Sequence, residues 1–505
     1  MSNKIDRREF FKNSAKVAAG STLIAKSAKS QIIKEAPKVE TDGYGFYKKN
    51  KWRNWSMQVN AEPINIHKPK TMKELISIVK NSDSMRFVGS SHSISGIIPN
   101  GQSLIITENF TGIIGIKKKN KNEAEVTAFA GMKLRQFSNH LATLGWALPS
   151  TGDTFYQSLA GLTSTGTHGT GMKWGSCSDQ NCLVGMRVLL ADGTMRDLHQ
   201  DNPNDRELLS AFRVGLGALG YIWTITFRVV PVHNLEHFGY TRELEDALDP
   251  KHLLNNDHYE FAYSPYTNKC ITFERNVTTK LGSKKFDRKR KRRENFTENK
   301  LAGAILSLGS LNPKMVEWAT KRFLNSVKDS HDIGRCDHIM TMPRTVPSYL
   351  MEYAIPLENA RAAIDAFKEV TFELKDKPKH ERFYANLPCQ VRFVRGDEGN
   401  LISPGVGRDT CWFGVGSHYK FKNSERFFKP LEKKLIELGG RPHWGKLFYT
   451  NPTDKYEHWD KYIEIRNKLD PNQKFSNTYM KRLDKMNLDE KSIGFKKDDQ
   501  EFTHF

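Results

Sequence analysis

Residues 160–171 read AGLTSTGTHGTG: four glycines, four threonines, one serine and one histidine in twelve positions. So little side-chain bulk lets a backbone come close to a large anionic ligand, and the many N–H and hydroxyl donors can converge on phosphate oxygens. The run therefore reads as a cradle for a cofactor pyrophosphate, or else as a flexible surface loop, which Gly and Thr also favour. Its spacing is neither GxGxxG nor GxxxxGK[ST], so composition alone carries the first reading.

Two other segments strengthen it. Residues 86–93, RFVGSSHS, run an apolar strand into a tight small-residue turn that presents His92. Residues 441–448, RPHWGKLF, gather a histidine, a tryptophan and a lysine around one glycine.

Together with AGMKL, LGWALPSTGD, LLADGT, GLGALGYIWTITFRV, EYAIP, QVRFV and LDPNQKFSNTYMKRL, in that order along the chain, these segments resemble the vanillyl-alcohol-oxidase type of flavoproteins. Within that type the resemblance is to the sugar-1,4-lactone oxidases (gulonolactone and arabinonolactone oxidases) and the alditol oxidases, and it spans residues 55–485. It implies an α+β chain: a two-subdomain FAD-binding domain at 55–232, an antiparallel α+β substrate (cap) domain at 233–440, and a segment at 441–485 that returns to the FAD domain.

The resemblance also assigns roles. His92 matches the histidine that bonds covalently to the flavin, while Gly89, Ser90, Ser91, Ser93, Ser164, Gly166, Thr167, His168 and Gly169 would surround the pyrophosphate, His168 in a structural and not a catalytic role. Ile222 would pass the flavin ring, and Gly161 would lie beside the flavin face and leave oxygen a path. Arg392 and Lys446 would place fixed positive charge where negative charge develops during hydride transfer, and the apolar flanks Val391, Phe393, Trp444 and Leu447 mark buried strands. His443 either orients Lys446 or packs beside Trp444.

Two positions depart from the pattern. The family's glutamate two residues before the arginine is Gln390 here, which can hydrogen-bond a substrate hydroxyl but cannot take its proton. The base is then left open between Lys446 and water. Leu162 stands where alditol oxidases have serine, which favours a lactone over a linear polyol. The expected activity is FAD-dependent oxidation of a sugar-lactone alcohol, with oxygen or another acceptor. The alternatives are an alditol or carbohydrate oxidase, and a basic binding protein that keeps the flavin without turnover.

The chain of 505 residues carries 78 basic and 57 acidic side chains, a net charge of +21. Eight of those basic residues lie at 284–293 (KKFDRKRKRR), where no aromatic platform or DNA-binding motif accompanies them, so a solvated loop is expected and no nucleic-acid partner. Residues 6–12, DRREFFK, followed by a short apolar stretch, resemble a twin-arginine export signal, which gives a leader at 1–40 and a periplasmic location. Peripheral membrane contact is compatible with that charge, but no segment has transmembrane length. The six cysteines show no CxxC or zinc spacing, so buried free thiols and no metal site are expected.

Local signals predict a helix after the Thr71–Glu74 capping box, strands at 85–89, 123–130 and 221–230, a helix at 133–144 closed by Gly145, a hairpin turn at Asp192-Gly193, and helices at 357–370 and 454–469.

Overall fold

The computed structural model describes residues 46–48, 50–282, 286, 314–342, 347–421 and 423–484. The leader and, apart from Phe286, the basic run at 284–293 lie outside them.

Thr71 opens the first helix, Met72–Asn81, by accepting from the Glu74 N–H at 3.2 Å, while the Glu74 carboxylate accepts from Lys70 N–H at 2.7 Å. Its apolar stripe, Leu75 and Val79, is fully buried with Met85 and Ile105. The helix is the crossover of a small parallel sheet in which Ser103–Ile106 lies between Asn65–His67 and Met85–Val88. Inside the Met85–Val88 strand, Arg86 is buried and donates to the carbonyls of Ile97, Leu216, Gly217 and Phe475 at 2.5–3.0 Å. Through Arg86, and through Met85 N–H donating to Lys474 O at 2.9 Å, the segment 470–483 packs on the first strands of the fold.

A second sheet, antiparallel, runs Met195–His199, Leu183–Leu189, Tyr221–Pro231, Glu123–Phe129, Ile113–Asn120, with Trp146–Ala147 pairing on the far end of Tyr221–Pro231. Helix Leu134–Thr143 ends at Gly145, whose φ of +84° is the left-handed conformation a closing glycine supplies. The Asp192-Gly193 turn joins the first two strands, again with a left-handed Gly193.

The third sheet has eight antiparallel strands, in the order Ser330–Arg335, Asn234–Glu243, Lys269–Thr278, His258–Tyr263, Cys389–Val394, Thr410–His418, Ser348–Pro356, Arg441–Pro442. Successive side chains of a strand face opposite sides, and register decides which. Val391 pairs with Phe413, and Phe413 with Tyr353; with Ile355 they share the apolar side with helices Ala360–Asp376 and Glu425–Glu437. Glu260, Arg392 and Trp412 form one row of the opposite side, and Gln390, Gly414 and Glu352 the next. One face of this sheet is core, the other chemistry.

Two elements depart from expectation. The glycine-threonine run is not loop throughout: Leu159–Ser164 is a short helix, because Ser158 caps it by accepting from Gly161 N–H at 3.2 Å. The last long helix begins at Trp459, preceded by a separate turn at Thr453–Lys455. All six cysteines are buried free thiols. No helix among the described residues is long and apolar enough to cross a membrane.

Candidate active site

The RFVGSSHS turn is built to hold His92 still. Trp52 donates from Nε1 to Ser91 Oγ at 3.0 Å, Trp55 N–H to Ser91 O at 3.1 Å, and Asn54 Nδ2 to Ser93 O at 2.9 Å. Ser91 itself sits at φ +58°, a left-handed conformation that sharpens the turn. The His92 ring lies between Trp55 and Tyr156, with centroids 5.1 and 5.3 Å away and the Tyr156 plane only 4° from parallel. Burial, then the Lys446 and Lys133 charges, lower its pKa to about 3, so the ring is neutral. Its Nε2 is buried and has no hydrogen-bond partner. An orphaned imidazole nitrogen is costly unless another group satisfies it, and bonding to a flavin would do so.

Gly89 meets the capped helix: a β-carbon there would collide with Ser158 Oγ, so the turn and the start of the glycine-threonine run approach closely only because residue 89 is glycine. Gly161 is exposed on that first helical turn. Ser164 O accepts from Leu216 N–H, Thr167 N–H donates to Leu162 O, and a left-handed Gly166 separates helix from loop. Gly169 packs where a β-carbon would strike Thr151 O. Ser90, just after the strand Met85–Val88, and Ile222, in the strand Tyr221–Pro231, are both buried. Leu162 is fully buried in the main core, so it acts on the site through packing and not through an open cavity.

Arg392 is the hub of the polar sheet face. Its guanidinium donates to Asp153 at 2.6 Å, Glu260 at 3.1 Å, Glu352 at 3.3 Å and Gln390 Oε1 at 2.8 Å. Arg275 holds Glu260 from the other side at 2.7 Å. Burial disfavours the Arg392 charge, but Asp153, Glu352 and Glu260 more than offset that and raise its pKa above the ordinary value. Burial likewise pushes the Glu352 carboxyl up, yet His168, Arg392 and Lys446 together hold it well below the usual range. Three carboxylates, Glu352 buried and Asp153 and Glu260 partly so, thus face three cations: Arg392, Arg275 and Lys446.

His168 belongs to this cluster. Its ring stacks on Trp412 at 3.7 Å, its Nδ1 lies 3.0 Å from Gly169 O, and its Nε2 lies 3.5 Å from Glu352 Oε1. His443 accepts at Nδ1 from Gly445 N–H (3.0 Å) and donates its backbone N–H to Glu352 O (2.8 Å); burial lowers its pKa to about 3. His168, Glu352 and His443 are close enough to offer ligands to one ion, but the Arg392 guanidinium on Glu352 opposes a cation there.

Two loops join the His92 slot to the Arg392 cluster. One carries Asp153 against Arg392 and Tyr156 against His92. The other carries His443 beside Glu352, Trp444 O accepting from Ser95 Oγ at 2.8 Å, Gly445 O accepting from Ile94 N–H at 2.8 Å, and Lys446, half-buried, whose charge reaches His92, His443 and Glu352. The three motifs found in the sequence therefore meet. Asp153, Tyr156, Glu260, Glu352 and Trp412 are the members that sequence reasoning did not assign. Asp153 and Glu352 sit inside the quoted motifs LGWALPSTGD and EYAIP, and for Glu352 an acidic residue between apolar ones was the available signal.

An anchored imidazole beside a small-residue cradle, facing a sheet of buried opposed charges, defines a flavin-dependent oxidoreductase. The FAD binding domain profile matches residues 63–199, and the D-arabinono-1,4-lactone oxidase profile matches residues 225–483. L-gulono-1,4-lactone dehydrogenase of Mycobacterium tuberculosis is 30% identical over 441 residues, covering 86% of this chain and 98% of its own. L-gulonolactone oxidase of Scyliorhinus torazame is 27% identical over 462 residues, covering 88% and 98%. Among solved structures, a solvent-stable cholesterol oxidase shares the fold at TM-score 0.69 with 17% identity, over 86% of this chain and 97% of that one. The chain belongs to the D-arabinono-1,4-lactone oxidase family and its cofactor is FAD.

Proposed function

We propose that this enzyme oxidises an alcohol carbon of a sugar-1,4-lactone, with His92 as a covalent anchor for FAD. Bound FAD supplies the hydride acceptor. The chain's own part is to hold the reacting hydroxyl among Gln390, Arg392 and Lys446, whose fixed donors and charges need no rearrangement as negative charge develops on the substrate oxygen. The observation that carries the reading is the convergence of the His92 slot and the Arg392 cluster through two short loops, in a chain related along most of its length to lactone oxidoreductases. Anaerobic bleaching of the flavin against aldonolactones, polyols and oligosaccharides tests it: lactones should bleach fastest, and a chain reduced only by polyols would refute the substrate class. Oxygen is the acceptor we favour, since Gly161 is exposed and lacks a side chain that would block access.

The orphaned Nε2 supports the covalent anchor. Wild type should keep in-gel flavin fluorescence after denaturation, and His92→Ala should lose it. Fluorescence that washes out of denatured wild type would refute the anchor.

We place the enzyme in the periplasm, exported already folded, on the strength of DRREFFK. Replacing Arg7 and Arg8 with lysine should leave flavin-loaded protein in the cytoplasm on fractionation; unchanged export would show that the motif is only a basic tail.

A further inference from the structure

Oxidising an alcohol to a carbonyl releases the hydroxyl proton, and a positioned group must take it. Gln390 cannot. The two buried histidines can be told apart by what their Nδ1 atoms meet. His443 Nδ1 accepts from Gly445 N–H, so in the neutral ring the hydrogen is on Nε2, and His443 is a donor with no open acceptor. His168 Nδ1 lies 3.0 Å from the Gly169 carbonyl, which can only accept, so Nδ1 carries the hydrogen and Nε2 is a bare acceptor in the neutral ring. That Nε2 faces the Glu352 carboxylate at 3.5 Å: in the neutral ring two acceptors are aimed at one gap, and a proton that enters turns the ring into the cation that favours the ionised Glu352.

We propose that the gap between His168 Nε2 and Glu352 Oε1 is the proton acceptor of this enzyme, in place of the carboxylate that Gln390 lacks. The proposal rests on the alcohol-oxidising reading above. In the step, the substrate C–H bond breaks with its electron pair passing to the flavin, the O–H bond breaks with its proton passing to Nε2, and the carbonyl double bond forms. The new imidazolium is then held by the Glu352 carboxylate and by the face of Trp412, stacked 3.7 Å away. Other charges facing the pair are Arg392, 3.3 Å from the same Oε1, with Asp153 and Glu260 on its far side, and His443 and Lys446 from the neighbouring loop. Arg392 keeps Glu352 ionised, so the proton settles on the ring.

The sign of the pH dependence follows. Once a proton occupies the gap it cannot accept another, so flavin reduction falls on the acid side. Removing the Glu352 charge weakens the ring's hold on a proton and moves that limb to lower pH, by about 1–3 units.

The test uses flavin-loaded enzyme labelled with 15N-histidine, with the His168 signals assigned from His168→Gln. Nδ1 should be protonated throughout, and a strongly downfield Nε2 proton should appear on acidification at the pH of the acidic limb of flavin reduction. Glu352→Gln should shift both together to lower pH, and Glu352→Asp should restore them in part. His168→Gln should abolish the limb and slow reduction by about 10²–10⁴-fold. A ring hydrogen on Nε2 with Nδ1 bare at every pH, or an acidic limb that persists in His168→Gln, overturns the proposal. The titration needs no substrate: a chain that no lactone reduces but that shows the shared proton loses the substrate reading and keeps the pair.

Discussion

Replacing Arg392 with methionine will destabilise the flavin-loaded protein by roughly 3–5 kcal/mol, the cost typical of breaking a buried ion pair from one side. The residue is 5% exposed and compensates Asp153, Glu260 and Glu352 at once. Methionine fills much of the volume but leaves three carboxylates with two cations, and a buried charge without a partner is expensive. Arg361→Met is the control. Arg361 also makes two ion pairs, with Glu245 and Asp365, but its side chain is 47% exposed, and such pairs contribute about 0–1 kcal/mol. Urea unfolding of the two variants decides the matter: equal losses would mean that the Arg392 cluster is not the buried charge lattice described.

Lys446→Met should lower the rate of flavin reduction by about 10²–10³-fold, the usual cost of losing one preorganised charge contact at a reacting centre, while flavin absorbance stays intact. The cofactor slot is built from Trp52, Trp55, Tyr156 and the His92 turn, held by hydrogen bonds and ring stacking among themselves. Stopped-flow reduction by a lactone measures it; a near wild-type rate would remove Lys446 from the chemistry. Arg392→Met should also be slow, but its lost stability makes Lys446 the cleaner variant.

Local signals read well in this chain. A capping threonine, a closing Gly145 and an Asp-Gly turn act within four or five residues, and each stands where spacing placed it. The glycine-threonine run was harder. Its first residues helped form a helix because Ser158, just outside the run, supplied a cap that composition did not weigh. The site divides in the same way. His92, Arg392 and Lys446 were legible because each sits in a short motif whose neighbours travel with it. Arg392 meets Glu260 across 132 residues and Glu352 across 40, and only sheet register puts them in the same and the adjacent row. Period-2 alternation shows that every second residue of EYAIP or QVRFV shares a side; it does not show which strands lie next to one another. His168 was legible as a histidine of the run and illegible as a partner of Glu352 for that reason.

The charge balance of the sheet face has a consequence for what the enzyme rejects. With three carboxylates already matched to three cations, a neutral ring can enter without adding charge to a dry site. A hydrolysed lactone is an open-chain acid, and it would bring a fourth carboxylate to a set whose described charges are already paired. The surface of this +21 chain attracts such an anion, while the balanced charges of the sheet face disfavour its entry. Opening the ring of its substrate is therefore expected to weaken that molecule's hold on the site by its charge alone.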